Sequence, residues 1–383
     1  MEKINIVVFS DDWGRHPSSC QHIFGHLLSR CKVTWINTIG LRTVRVSLYD
    51  LKRAFQVLRN WASSSSTSTK DSAEQKKKTN PTVLAPMMLP SFRNRCAAYV
   101  NQKILLRTVR KALISDGKNI LVSTLPIIPD IFSANIFDRA VYYCVDDFTT
   151  WPGVDGAAMR RLESEVLQYC DLLIATSSKL LRSRGVSVKK ACLLTHGVDV
   201  EHFAQAVHLS PPDEIARLPK PVIGFFGVFD GRMDGDILNN ISHEFAAGSI
   251  VILGPIDRDI RPFASLKNVH FMGPVSYREL PSWASGFDAC ILPYKVDEST
   301  ESINPLKLRE YLATGKPVIS TPLPEAARLS QYLRIAIPDD LPEAVRQEME
   351  NNFSARPDVE AFLRGESWKK KAEDFWQIIT EGL

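Results

Sequence analysis

Short apolar runs alternate along the chain with longer stretches whose apolar residues recur at helical spacing. Residues 4–9, 32–36, 119–122, 140–145 and 172–176 are brief, rich in Val and Ile, and closed by polar or turn residues. That is the pattern of strands buried on both faces. Residues 160–169 repeat at helical spacing. A second series begins at Pro221, with strand-like runs at 222–226, 249–253, 269–271, 289–292 and 317–320. Strand–helix alternation predicts βαβ units and an α/β chain of two Rossmann-like, doubly wound domains. The expected division is a first domain over 1–205, a Pro-rich polar linker over 206–220 and a second domain over 221–365. A helix over 366–383 follows, with Trp368, Ala372, Phe375, Trp376 and Ile379 on one face.

Composition narrows the class. The 383 residues suit two domains rather than one. With 44% apolar and 23% charged residues, the chain reads as soluble and globular, neither disordered nor collagen-like. No run reaches the roughly 18 apolar residues that a membrane crossing needs. The apolar N-terminal run stops at Asp11 and Asp12, so it reads as a first strand rather than a signal peptide. Seven cysteines without a C-x-x-C pair point to a reducing, cytoplasmic setting with no zinc site.

The net charge of +4 is unevenly placed. Residues 1–205 hold 28 basic and 17 acidic side chains, a net of +11, and the remainder is −7. The excess is concentrated in 42–118, with 16 basic residues against 4 acidic. This stretch contains a polar insert at about 60–80 with no apolar face, expected to be a mobile loop. Basic amphipathic segments flank it, carrying Lys52, Arg53 and Arg59 on one side and Lys103, Arg107, Arg110 and Lys111 on the other. They read either as surface helices packed on the sheet or as a contact with an anionic membrane surface, where each basic residue contributes about 1 kcal/mol. No recognition motif or aromatic stacking platform accompanies the charge, so nucleic acid is not expected as a partner.

The most informative stretch for chemistry is Ser302-Ile-Asn-Pro-Leu-Lys-Leu-Arg-Glu-Tyr-Leu-Ala-Thr-Gly-Lys-Pro. Asn304 reads as an N-cap, Pro305 as the first helical residue and Gly315 as the stop. Lys307 then lies in the first turn, where free amides and the helix dipole attract an anion. Glu310 shares its face. A cation at a helix N-terminus opposes the dipole unless an anion lies between them, and a carboxylate one turn on can accept two ribose hydroxyls. The pair therefore suits a sugar nucleotide, with the diphosphate at the helix start and the ribose at Glu310. The plainer reading is an i,i+3 ion pair on a solvated helix.

Asn304-Pro-Leu-Lys-Leu-x-Glu-Tyr-Leu-Ala-x-Gly-Lys-Pro-Val-Ile-x-Thr resembles the donor-site helix of GT-B-fold glycosyltransferases, in the large group that includes bacterial polysaccharide enzymes. The segments beginning at Thr195-His-Gly-Val-Asp, Val222-Ile-Gly-Phe-Phe-Gly and Asn268-Val-His-Phe-Met-Gly agree with that group in order. The resemblance implies two Rossmann-like domains facing each other across a cleft, with the C-terminal helix crossing back to the first domain. It implies transfer of a hexose-type sugar from a nucleoside diphosphate donor, UDP favoured and GDP possible, to a saccharide or lipid-linked saccharide. The setting would be cell-surface polysaccharide biosynthesis on the inner face of the plasma membrane, with no cofactor and no metal. Asn304, Leu306, Lys307 and Glu310, with Gly227 and Arg232, would hold the donor. Retaining members carry a Glu eight residues before the ribose-binding one. That position is Ser302 here, with Glu301 one place away. The chain also resembles the xanthan-type glucuronosyltransferase group, which inverts. The alternatives are a catalytically silent GT-B-like binding or scaffold protein and a sugar-nucleotide epimerase.

An inverting transfer needs a base for the acceptor hydroxyl. Asp146 and Asp147 are the candidates, Asp147 ahead, because they follow a buried strand at its carboxyl end, where doubly wound sheets place ligands. Both can equally cap the following turn. His16, Ser18, Ser19 and His22, after the first strand, are acceptor-side candidates, although His22 reads as well as an ordinary helix residue. Arg232, past the Gly227-x-x-x-Gly231 turn, can bind a diphosphate bidentately. Asp257-Arg-Asp259 spells a metal motif of another glycosyltransferase fold, but in a loop here it reads as coincidence.

Overall fold

The computed structural model describes residues 3–14, 18–37, 80–88, 95–351 and 357–383. The insert at about 60–80 and the first basic segment lie outside the described residues. The chain divides into two compact units. One is Met1–Tyr143 with Phe148–Leu172 and Gly382–Leu383; the other is Cys144–Asp147 with Leu173–Glu381. The stretch at 206–220 lies inside the second.

The first unit is built on parallel strands in the order β3-β2-β1-β4-β5. They are β1 (Ile4–Ser10), β2 (Lys32–Asn37), β3 (Thr82–Leu84), β4 (Lys118–Ser123) and β5 (Arg139–Cys144). Ile6, Val7, Val8 and Phe9 in β1, like Ile120, Leu121 and Val122 in β4, are fully buried. That is why these runs carry no polar alternation. Register runs from Asn5↔Lys32 between β1 and β2, and from Ile4↔Lys118 between β1 and β4. Its longer helices among the described residues are α1 (Ser19–Leu27), α2 (Arg95–Ala112) and α3 (Gly156–Tyr169). Helix α3 begins four residues before the apolar repeat at 160–169, because the Asp155 side chain accepts from Ala158 N–H and caps it.

In the second unit β6 (Leu172–Ala175) pairs in parallel with β7 (Ala191–Leu193), joined by α4 (Ser178–Gly185). A separate six-stranded parallel sheet runs β10-β9-β8-β11-β12-β13. Its strands are β8 (Val222–Phe226), β9 (Ser249–Leu253), β10 (Val269–Gly273), β11 (Ala289–Leu292), β12 (Val318–Ser320) and β13 (Arg334–Ile335). Its longer helices are α5 (Gly235–Glu244), α6 (Leu306–Ala313), α7 (Leu341–Glu350), α8 (Pro357–Gly365) and α9 (Trp368–Thr380). The apolar face of α9 is buried at Trp368, Ala372, Phe375 and Ile379, four of the five positions that the helical spacing put on one side. In this sheet strand order reverses between β8 and β11, and in the first unit between β1 and β4. Ligands of doubly wound sheets bind outside the carboxyl ends of strands at such switch points.

Candidate functional site

Helix α6 lies at the switch point of the second unit. Its cap is Pro305, which supplies no side-chain hydrogen bond, so the first-turn amides have no side chain upon them. Asn304, expected as the N-cap, does other work. Its Nδ2 donates to the Thr176 carbonyl at 2.7 Å and its Oδ1 accepts from Arg309 at 2.8 Å. The helix therefore starts one residue later, at Leu306, and is two turns long. Gly315, at φ +73°, stops it as expected. Tyr311 fixes the helix to the end of β8: its hydroxyl donates to the Phe226 carbonyl at 2.9 Å and accepts from Phe226 N–H at 3.2 Å.

Lys307 leaves the first turn across Gly227, the residue after β8. A Cβ on Gly227 would stand 1.7 Å from Lys307 Cε, and Gly227 has φ +147°. Only glycine gives the lysine this path. Among the described residues Lys307 makes no hydrogen bond or ion pair, although its charge acts on Asp230 and on Glu310.

Arg232 stands in the loop after β8 and is held from two sides. Asp230 accepts from its Nε at 2.9 and 3.0 Å and from Nη2 at 2.5 Å, and the guanidinium lies 5.2 Å from the centre of the Tyr294 ring. Lys295 N–H donates to the Arg232 carbonyl at 2.8 Å, which laces this loop to the one after β11. Burial opposes the charge of Arg232. The Asp230 hydrogen bonds and the charges of Tyr294, Asp230 and Asp146 outweigh it and hold its pKa above the ordinary value. Burial likewise works against an ionised Asp230, yet Arg232 and Lys307 keep its pKa below the usual carboxylate range.

Glu310, one turn after Lys307, has its pKa pushed up to about 7 by burial, with Lys307 pulling the other way. Tyr277 is near enough that burial first, then the charges of Glu310 and Asp199, raise its own pKa. The Tyr277 ring stacks on His202 at 4.7 Å. Leu306 is the half-buried first residue of α6.

The two candidate bases have different partners. Asp147 is buried, and its Oδ1 pairs with Arg184 Nη2 of α4 at 2.9 Å. Asp146 is less buried, accepts from Asp147 N–H at 2.7 Å and acts electrostatically on Arg232. Of the acceptor-side candidates, His16 lies outside the described residues. Ser18 caps α1, accepting from Gln21 N–H at 3.3 Å and donating to Asp11 at 2.9 Å. Ser19 opens the same helix, and the backbone of His22 donates to Ser18 at 2.9 Å.

Glu301 pairs with Lys179 at 2.5 Å. The Ser302 hydroxyl is buried without a hydrogen-bond partner among the described residues. Asp259 of the D-x-D is taken up by exposed Arg261. No group of three or more His, Cys, Asp or Glu placed to hold a metal occurs among the described residues.

Residues 220–353 match the family model described as Glycosyl transferases group 1. That segment, about a third of the chain, is similar to the group. A curated relative, a putative teichuronic acid biosynthesis glycosyltransferase, TuaH, of Bacillus subtilis (strain 168), is 24% identical over 227 residues. The match covers 54% of this chain and 56% of the relative, so it spans about half the length of each. Among solved structures, Anabaena Alr3699/HepE in complex with UDP and glucose aligns over the whole of both chains, with a TM-score of 0.67 and 11% identity. An E. coli structure described as trehalose-6-phosphate bound with UDP-2-fluoro glucose aligns over 99% of each, with a TM-score of 0.66 and 11% identity. The chain has the GT-B glycosyltransferase fold, as its motifs implied. Lys307, Glu310, Arg232, Asn304 and Gly227 all lie within the group 1 segment.

The sequence did not disclose Asp230, Tyr294, Arg309 or Glu366. Only Arg309 carried a local signal, as a third charged residue between Lys307 and Glu310 on a short helix.

Proposed function

We propose that the protein is a glycosyltransferase that moves a hexose-type sugar from a nucleoside diphosphate sugar, UDP favoured over GDP, to a saccharide or lipid-linked saccharide in cell-surface polysaccharide assembly. The observation that carries this reading is Lys307, without a partner among the described residues, laid over Gly227 at the switch point beside Arg232. The diphosphate takes the Lys307 ammonium, the first-turn amides of α6 and the donors of Arg232 that Asp230 leaves unused. These groups are in place before reaction and neutralise the charge that develops as the sugar–phosphate bond breaks. Glu310, ionised, accepts the ribose hydroxyls. UDP or UDP-glucose accompanies the Anabaena protein of the same fold, and the Bacillus relative is described as a biosynthetic glycosyltransferase. The first supports the donor class and the second the transferase activity.

We assign the base to Asp146. Asp147 is engaged by Arg184 at 2.9 Å, whereas Asp146 is the less buried of the two and lies within electrostatic reach of Arg232, on the side where the diphosphate is placed. Asp146 takes the proton of the acceptor hydroxyl as the oxygen attacks the anomeric carbon. The test is calorimetric titration of the protein with UDP and GDP. Tight UDP binding supports the nucleoside diphosphate donor with uridine as its nucleobase, and tighter GDP binding reverses that nucleobase preference.

A second reading concerns location. Helix α2 contains no acidic residue. Its exposed face carries Tyr99, Val100, Lys103, Arg107, Arg110 and Lys111, and Ala97, Asn101, Leu105, Val109 and Ala112 are buried. No helix among the described residues is long and apolar enough to cross a membrane. The stripe fits the surface of an anionic bilayer, with basic side chains at the headgroups and Tyr99 at their boundary. Salt-sensitive sedimentation with phosphatidylglycerol vesicles, lost in Lys103→Glu/Arg107→Glu, is the expected result. Equal binding by both proteins would discard the stripe as the contact.

A further inference from the structure

Behind the donor helix, five polar side chains unused by the proposed chemistry are buried together: His196, Asn304, Arg309, Glu366 and Lys371. Arg309 follows Lys307 by two residues and precedes Glu310 by one. Its Nε donates to Glu366 Oε2 at 2.5 Å and its Nη1 to Asn304 Oδ1 at 2.8 Å. Asn304 passes the contact to the carbonyl of Thr176, just after β6, at 2.7 Å. The other oxygen of Glu366 accepts from Lys371 of α9 at 2.6 Å, and Lys371 also donates to Thr195 at 2.8 Å. One carboxylate thus stands between two buried cations, whose charges keep its pKa low although burial works the other way.

Helix α6 needs such an anchor. Eight residues without a side-chain N-cap are too few to hold a helix in water on their own. Its apolar side, Leu308, Leu312 and Ala313, packs into the core, and two polar contacts add direction to that packing: Tyr311 on the end of β8, and Arg309 on Glu366. We infer that Glu366 is a positioning residue for the donor site, fixing the rotation of α6 through Arg309 so that Lys307 lies over Gly227 and Glu310 meets the ribose. This rests on the donor reading of Lys307 and Glu310. Glu366 itself touches no donor atom. A group that sets geometry through another acts because small displacements of a binding side chain cost affinity steeply.

The experiment is calorimetric titration of UDP into the parent protein and into Lys307→Ala, Glu366→Gln, Arg309→Lys and Ile379→Val. The last trims the buried face of α9 away from the ion network. A role confined to stability lowers the fraction of competent protein, so stoichiometry falls and Kd stays. A positioning role raises Kd at unchanged stoichiometry. Glu366→Gln and Arg309→Lys should each weaken UDP about tenfold with one site per chain, and Ile379→Val should keep the parent Kd. If Glu366→Gln does not fold, Arg309→Lys alone decides in the same way. Parent Kd in the folded variants, with Lys307→Ala defective, overturns this inference alone. Parent Kd in Lys307→Ala overturns the donor reading, and this inference with it.

Discussion

The two switch points of the chain are chemically opposite. In the first unit, the described residues around the end of β1 bond to one another. Asp11 accepts from Ser10 at 2.7 Å, Ser18 at 2.9 Å and Gln21 at 2.6 Å, and its carbonyl accepts from the Trp35 indole at 2.8 Å. Thr124, after β4, donates to Ser10 at 2.8 Å. In the second unit, the corresponding edge presents a lysine unpaired among the described residues, a helix start without a side-chain cap from its N-cap residue, and an arginine that Asp230 orients without covering. A loop whose polar groups satisfy one another is a scaffold. One that leaves a cation exposed at a helix N-terminus keeps a place for an anion.

That contrast can be broken at several points. The largest effect belongs to the base. Asp146→Asn should lower the transfer rate about a hundredfold or more and leave UDP affinity within twofold, measured by donor turnover and titration. Asp147→Asn should instead act on stability, because it removes the charge that pairs with the half-buried Arg184. A loss of about 3 kcal/mol in denaturant unfolding is expected. If the two variants exchange these phenotypes, Asp147 is the base.

Next comes Glu310. Its carboxyl, with a pKa raised to about 7, holds a proton in the folded protein that the unfolded chain has released above its ordinary value near 4.5. Its contribution to stability is therefore greatest below that value and is lost as pH rises through about 7. Ribose hydroxyls need the ionised form, so donor binding runs the other way. UDP affinity should rise about tenfold between pH 6 and 8, with release of a proton. The profile of Glu310→Gln serves as the reference, because it removes the titration of UDP's own terminal phosphate. Parallel profiles for the two proteins would take Glu310 out of the site.

The smallest effect is at the end of β1. Asp11→Ala orphans three donors and should cost about 2 kcal/mol of stability, with UDP affinity unchanged. A change in UDP affinity would show that the two edges are not separate in function.

Much of this was legible beforehand. Every strand expected from an uninterrupted apolar run is present, because a parallel strand buried on both faces needs such a run. The strands that escaped, β3, β7 and β13, are two or three residues long at the margins of their pairings and are half-exposed, so no burial pattern marks them. Lys307 and Glu310 could be singled out because helix start, cation and the Gly315 stop stand within one short segment, and Gly227 because it opens the turn after a strand-like run. The assignment of Asn304 as a cap failed because its amide found stronger partners in Thr176 and Arg309, one of them 128 residues away. Glu366 was invisible for a related reason. Its partner Arg309 is 57 residues distant, and nothing local distinguishes a carboxylate that will be buried from one that will face water.

The central claim is that Lys307, lying across Gly227, is the anchor for a nucleoside diphosphate. The direct measurement is calorimetric titration of UDP into the parent and into Lys307→Ala, with thermal unfolding to confirm that both are folded. The account predicts one UDP site in the parent and at least about a hundredfold weaker binding in the variant, at an unchanged unfolding temperature. Equal UDP affinity in two folded proteins would contradict it.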